Sequence, residues 1–424
     1  MQEHPVLGQV TLGYSPMIDR QRAVVVTRLT IFPERPDTPP DANALLQALL
    51  DVWPANDPPN PLTLTLRPLD PKPRGTPPPA VKNAPVSLNI AGEALLRAVM
   101  NAAPPPHLML EIPSFMAADP SCADAILSLR AAGSVLLIKG RPLRVLAPEV
   151  LACFSHSIVD AGDDRRTDAP APPGVERNVS TVQAGTHSTA DVERAFQRGA
   201  VAVLGWPYDD PAPASGSRVN LASDVSVVID LINGVEREEP VAKLEVVLRR
   251  DPTVAFRLMR YLNSPAFGLS VEINSFGHAM MLLGHSRLKR WLALLLASSS
   301  KAGFAQPLIH AAVRRGLLLE ELGRAQGDAE MRGEMFICGV FSLLDKLLQQ
   351  PFAGLMQNVP VPERVQQALR GEGGPYQPYL ELLRAIEQEA VFDIRDCSDR
   401  LVLGPTEVNR ALLMALSSAR QLDG

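Results

Sequence analysis

Two hydrophobic periods alternate along the first half of the chain. Ala23 to Ile31 (AVVVTRLTI) is rich in β-branched residues and is bounded by Asp19 and Pro33. Leu62 to Leu66, Val86 to Ile90, Leu108 to Ile112, Val135 to Ile138, Ser157 to Val159 and Val201 to Leu204 are similar short apolar runs. Runs of this length and composition predict strands. Helical spacing falls between several of them, at Asn43 to Val52, Gly92 to Asn101, Ala123 to Ala132 and Thr189 to Arg198. Strands alternating with helices predict parallel βα units, and enough are present for a barrel shorter than the usual ~250 residues. The Pro-rich, polar stretches Pro54 to Pro85 and Asp163 to Pro173 read as loops or insertions.

The pattern changes near Tyr208-Asp209-Asp210-Pro211, and Ala212 to Ser217 reads as a linker. Helix punctuation then dominates. Asp251-Pro252 is an N-cap followed by proline, Val254, Leu258, Tyr261 and Leu262 follow at helical spacing, and Asn263-Ser264-Pro265 stops the run. Ser275 can cap a helix through Ala279, Leu282 and Leu283 that ends at Gly284. Ser286 can cap the next, with Leu288, Trp291, Leu292, Leu295 and Leu296 on its apolar face. Further helices are predicted over 307–326, 330–349, 362–370, 375–391 and 405–421. The expected architecture is α/β plus all-α, with a (β/α) barrel domain over 1–211 and an all-helical domain over 212–424.

Composition adds exclusions. The chain is 46% hydrophobic and 21% charged, with a net charge of −5, so no basic excess points to nucleic acid or to a membrane surface. No apolar run reaches the ~20 residues that span a bilayer; Trp291 to Ala297 stops at three serines. The opening MQEHPVLGQV lacks the pattern of a secretory signal, so a cytoplasmic location is expected. Cys122, Cys153, Cys338 and Cys397 are widely spaced, without a CxxC pair, and are expected to be reduced and mostly buried.

Arg249 to Gly268 (RRDPTVAFRLMRYLNSPAFG), Ile273 to Trp291 (INSFGHAMMLLGHSRLKRW) and Glu334 to Gln350 (EMFICGVFSLLDKLLQQ) together resemble the HDOD family. The first half resembles a decayed EAL domain, the family that hydrolyses cyclic di-GMP. Tyr14 to Asp19 is similar to its opening strand, VSLNI to its second strand and LMLEI to its next, and Leu204-Gly205-Trp206 stands near its end.

The resemblance places Asn89 and Glu111 at family metal-ligand positions. It also implies loss of the rest. Thr27, in Thr27-Arg28-Leu29, replaces the first glutamate of the name-giving triplet. Lys139-Gly140 replaces the paired aspartates, Ile158 the lysine, and Ala184 and His187 the later glutamates. Asp160 retains one position. Ile31 and Leu204 replace an arginine and a glutamine that contact nucleotide. Family members hold two Mg²⁺ or Mn²⁺ ions with carboxylates. The resemblance therefore implies no metal, no cofactor and no catalysis here, and cyclic di-GMP is not expected to bind.

The helical half contains no His-Asp dipeptide; Asp345 lacks one, and His278, His285 and His310 fall on separate predicted helices. Each reads as a capped or surface histidine rather than a ligand. Met280, Met281 and Trp291 read as core. Arg287, Lys289 and Arg290, with Arg314 and Arg315, form a basic group that could meet an acidic partner, although a solvated helix face is the default. No nucleophile elbow or phosphate-binding glycine loop is present. The expectation is a non-enzymatic signalling scaffold whose HDOD domain binds proteins such as diguanylate cyclases or sensor kinases. A non-hydrolysing cyclic di-GMP receptor and a residual phosphodiesterase are the alternatives. The turn at Asn263, Ser264, Pro265, Phe267 and Gly268 is the candidate contact region, with a structural turn as its default reading.

Overall fold

A computed structural model describes residues 4–54, 85–163, 179–208, 223–248, 250, 254, 276–298, 305–324, 329–350, 352–356 and 361–423. The chain divides into two compact units: Met1–Asp210 together with Arg384–Asp423, and Pro211–Leu383. The last forty or so residues thus pack with the first unit, apart from the helical residues that precede them in sequence.

The first unit is built on a closed barrel of β1 (Val10–Asp19), β2 (Val24–Pro33), β3 (Val86–Ile90), β4 (Leu108–Pro113), β5 (Leu136–Lys139), β6 (Phe154–Asp160), β7 (Ser180–Ala184) and β8 (Ala202–Leu204). From β2 to β8 each strand is parallel to the next, and β1 closes the ring antiparallel to both β2 and β8. Of the seven runs predicted as strands, five became β2, β3, β4, β5 and β8, and Ser157 to Val159 lies inside β6. Leu62 to Leu66 lies outside the described residues. Composition did not mark β7, whose Ser, Thr and Gln weaken the apolar signal.

Helices α1 (Ala42–Leu50), α2 (Glu93–Asn101), α3 (Ser114–Ala117), α4 (Pro120–Ala131), α5 (Pro148–Leu151) and α6 (Thr189–Gln197) fall between the strands. Their starts follow local chemistry. The Asp41 carboxylate accepts from the amides of Asn43 and Ala44, Asp119 precedes Pro120, and Ser188 and Asp191 form a reciprocal capping box. Strand alternation sends one face of each strand inward. Met17, Val26, Met109, Leu137, Ile158, Val182, Ala202 and Leu204 fill the interior.

The second unit is helical among its described residues: α7 (Ser223–Glu236), α8 (Val241–Leu248), α9 (Phe276–Ser298), α10 (Ala305–Leu322), α11 (Ala329–Phe341), α12 (Leu344–Leu348), α13 (Phe352–Leu355) and α14 (Glu363–Arg370). The expected stop at Gly284 is a kink inside α9, where φ is 69° and ψ 173°. Gly339 lets α11 approach α10 closely, since a methyl there would collide with the Arg315 carbonyl oxygen. Two sequence readings are corrected here. Met281 is exposed rather than core, and Arg314 and Arg315 are buried rather than solvated, Arg315 donating to Ser342 Oγ at 2.9 Å. The four cysteines are buried free thiols.

The predicted helix over 375–391 holds α15 (Gln377–Glu387); α16 (Val391–Arg400), which no predicted helix covered, follows it, and then α17 (Pro405–Asp423). The break centres on Glu389, whose φ of 57° is left-handed. Asn409 of α17 donates to the carbonyls of Leu7 and Val10 at 2.8 and 2.6 Å and accepts from the Leu12 amide at 3.0 Å. Trp206 Nε1 donates to the Glu387 carbonyl at 3.0 Å, and the Tyr208 hydroxyl to the Glu387 carboxylate at 2.6 Å. The C-terminal segment is thereby tied to both ends of the barrel sequence.

A polar layer at the barrel mouth

The interior changes character along each strand. Val26, Met109 and Leu137 belong to the apolar cluster. Two residues further along the same inward faces stand Arg28, Glu111 and Lys139. Register brings Ser87 beside Arg28, and Asn89 beside Thr30; Ser15 of β1 pairs with Arg28. These residues form a polar layer toward the C-terminal ends of the parallel strands, the end of a (β/α) barrel where ligands and chemistry are usually found.

Glu111 is fully enclosed, and its carboxylate is gripped on both oxygens. Arg28 Nε lies 2.9 Å from Oε1, Arg28 Nη2 lies 2.9 Å from Oε2, and Ser87 Oγ donates to Oε1 at 2.8 Å. A bidentate guanidinium–carboxylate pair is among the stronger charge-assisted contacts. Lys139 Nζ donates to Asn89 Oδ1 at 2.6 Å, and Asn89 Nδ2 donates to Thr30 Oγ1 at 3.1 Å. A second acid enters from the C-terminal segment: Glu389 accepts from Ser15 Oγ at 3.0 Å and lies 3.7 Å from Arg28 Nη1. Gly13 makes room for it, since a methyl there would stand 3.0 Å from Glu389 Cγ and from the Ile386 carbonyl oxygen. The layer holds two cations, Arg28 and Lys139, and two anions, Glu111 and Glu389.

Burial works against the Arg28 charge, but Glu111 and Glu389 outweigh it and hold the guanidinium pKa above its ordinary value. Lys139 is pushed down, first by burial and also by Arg28, against the opposing pull of Glu111 and Glu389.

A hard dication needs several oxygen ligands free to face it. Glu111 already gives both oxygens to Arg28 and Ser87, and an ammonium group occupies the Asn89 oxygen. These residues do not fit the metal pair implied by the EAL resemblance. Among the described residues no three His, Cys, Asp or Glu side chains are grouped as a metal site.

The other sequence-derived positions lie apart from this layer. Thr27 is buried on β2, but alternation puts it on the face opposite Arg28. The member of the Thr27-Arg28-Leu29 triplet that enters the layer is Arg28. Asp160 ends β6 and accepts from the Gly162 amide at 2.9 Å. Ala184 ends β7, Leu204 is in the apolar cluster, and Ile158 is buried there too. His187 is exposed, its amide directed at Asp191. Sequence reasoning gave no role to Arg28, Ser15, Ser87 or Glu389. Inward alternation from Val26 could have found Arg28, and from Asn89 it could have found Ser87. Nothing in the local pattern marks Glu389.

Residues 221–357 match the HDOD domain family. The chain carries an HDOD domain. Ahead of it in sequence stands the closed eight-stranded barrel. The uncharacterized protein YuxH of Bacillus subtilis is 30% identical over 201 residues, which are 46% of this chain and 48% of that protein. The cyclic di-GMP phosphodiesterase CdgJ of Vibrio cholerae is 26% identical over 171 residues, 38% of this chain and 40% of that protein. The aligned part thus spans less than half the length of either relative. The solved PaMucR phosphodiesterase, in complex with c-di-GMP, is 18% identical, with a TM-score of 0.30 over 49% of this chain and 93% of that one.

Within the HDOD domain Asp345 lies in the first turn of α12, and burial raises its pKa above the usual carboxylate value. Lys289 pairs with Glu236 and Arg290 with Glu320, each at 2.5 Å, and Arg290 also lies 4.0 Å over the Phe336 ring. Those two cations are thus engaged within the domain. Asn263 to Gly268, and the side chains of His278, Met280 and Arg287, lie outside the described residues. No helix among the described residues is long and apolar enough to cross a membrane.

Proposed function

We propose that this chain is a catalytically silent adaptor in cyclic di-GMP-linked signalling, whose HDOD domain binds other regulatory proteins. The observation that carries the reading is the Arg28 fork on Glu111. A covalently attached cation holds the acid that the resemblance assigns to metal, and Lys139 adds a second positive charge beside it. Bringing two dications into this layer would set them against both. The family link to cyclic di-GMP comes from CdgJ and from the barrel standing ahead of an HDOD domain. The proposed partner class is regulatory proteins such as diguanylate cyclases or sensor kinases, and the match of residues 221–357 to the HDOD domain supports a binding role for that region.

Two experiments test the reading. Purified chain supplied with Mn²⁺ or Mg²⁺ should leave cyclic di-GMP intact over hours; linear dinucleotide product would overturn the silent part. Affinity capture from the native cell should recover specific signalling proteins that are lost when residues 221–357 are deleted. Recovery that survives the deletion would overturn the adaptor part.

A further inference from the structure

The barrel's own residues do not balance their charge. Arg28 and Lys139 are both basic, whereas among the described strand residues Glu111 is the one acid joined to the layer. The second anion, Glu389, arrives from beyond residue 384, on a left-handed residue between α15 and α16. Its carboxylate meets a guanidinium nitrogen and a hydroxyl donor, the donor set that recognises a free oxyanion. Its side chain retains 19% exposure, whereas that of Glu111 has none. Glu389 is thus the replaceable member of the pair, and Glu111 the fixed one.

We propose that the barrel mouth is an oxyanion seat, filled in cis by the Glu389 carboxylate and able to take a phosphate- or carboxylate-bearing ligand in its place. The C-terminal segment then acts as a resident occupant. A tethered group competes at an effective concentration on the order of millimolar or higher. Low concentrations of a free anion therefore fail to enter the intact protein, while removing the resident charge leaves Arg28, Lys139 and Ser15 facing an open position. The inference goes beyond the adaptor reading and stands on binding alone. Hydrolysis of cyclic di-GMP by the wild-type chain would sink that reading and leave this one untouched.

The test uses the full chain and inorganic phosphate, titrated calorimetrically at constant ionic strength in chloride, with acetate as a parallel probe. Glu389→Gln should gain saturable phosphate binding at least about tenfold tighter than wild type. Ser15→Ala in that background should weaken it severalfold. Acetate binding with the same variant dependence would assign the seat to carboxylates as well; response to phosphate alone would assign it to phosphates. Equal behaviour of wild type and Glu389→Gln toward both probes, or indifference to Ser15→Ala, would overturn the proposal. A measurement on the wild-type chain guards against a folding defect in the variant. High phosphate should accelerate amide exchange around residues 386–391 relative to chloride, and unchanged exchange there would also overturn it.

Discussion

Glu111 in the barrel and Glu334 in the helical unit are both buried acids, and their surroundings differ. Glu111 has no side-chain exposure, and its principal partner is Arg28, itself nearly enclosed. Glu334 is also largely covered, but the cation on it, Arg364, keeps half of its side chain in water. The other partner of Glu334 is a neutral hydroxyl, Tyr376, at 2.6 Å. Burial, then the hydrogen bond to Glu334, pushes that phenol well above its ordinary range. In the helical unit a carboxylate is satisfied at the rim, where water can substitute for a lost partner. In the barrel the charge is closed inside the protein. A closed pair is fixed by its partner's chemistry, and a guanidinium remains charged throughout the physiological range.

The comparison can be broken most strongly at Arg28. Arg28→Ala leaves Glu111 buried without its cation and should cost about 3–5 kcal/mol, read from denaturant unfolding. Replacing both partners, Arg28→Met with Glu111→Leu, should recover most of that loss, because a neutral pair leaves no stranded charge. A double variant as unstable as the single one would show that the pair is not acting as a charge pair. Next in size is the C-terminal tie. Asn409→Ala removes three hydrogen bonds to the start of the barrel and should cost about 2–3 kcal/mol. It should also raise amide exchange in α17 before it does so in the central strands. The rim network responds less: Tyr376→Phe should cost about 1–2 kcal/mol, since Arg364 and water still reach Glu334.

The smallest effect is a difference in pH response. Burial, and after it Arg314, holds His310 well below the ordinary imidazole pKa of 6.5. The folded form therefore binds fewer protons than the unfolded form just below that value. Stability from this group is complete above pH 6.5 and is lost as pH falls through it. Arg28 is shifted the other way, from a value already far above neutrality, so the guanidinium contributes no slope there. Unfolding midpoints at pH 7.5 and 5.5 should show an acid loss in wild type that His310→Gln reduces. An identical loss in the variant would remove His310 as its source.

The fold was legible where one physical signal ruled a segment. Val86 to Ile90 alternates apolar with polar residues, Leu108 to Ile112 is apolar except at Glu111, and they became β3 and β4 with little change. Thr189 to Arg198 was read as helical and became α6, to which the structure adds a Ser188–Asp191 capping box. The site was only half legible. Asn89 and Glu111 stood out through the family resemblance, and both lie in the polar layer. Arg28 was passed over because the resemblance fixed on Thr27, whereas the side chain that turns inward is set by strand alternation. Glu389 was hidden more deeply. The apolar spacing of α15 runs on past its end, and the residue that Glu389 meets, Ser15, lies 374 positions away in sequence. Local periodicity carries no information about a contact of that range. The same holds for the bonds of Asn409, Glu387 and Glu389 that tie residues 384–423 to the barrel.

The proposed silence of the barrel rests on the Arg28 guanidinium that holds Glu111. Titrating the full chain with Mn²⁺, followed calorimetrically and by electron paramagnetic resonance, asks whether that cation excludes metal. Wild type should show no stoichiometric site, and cyclic di-GMP added with the metal should create none. Two Mn²⁺ ions bound per chain, lost on Glu111→Gln, would contradict the account.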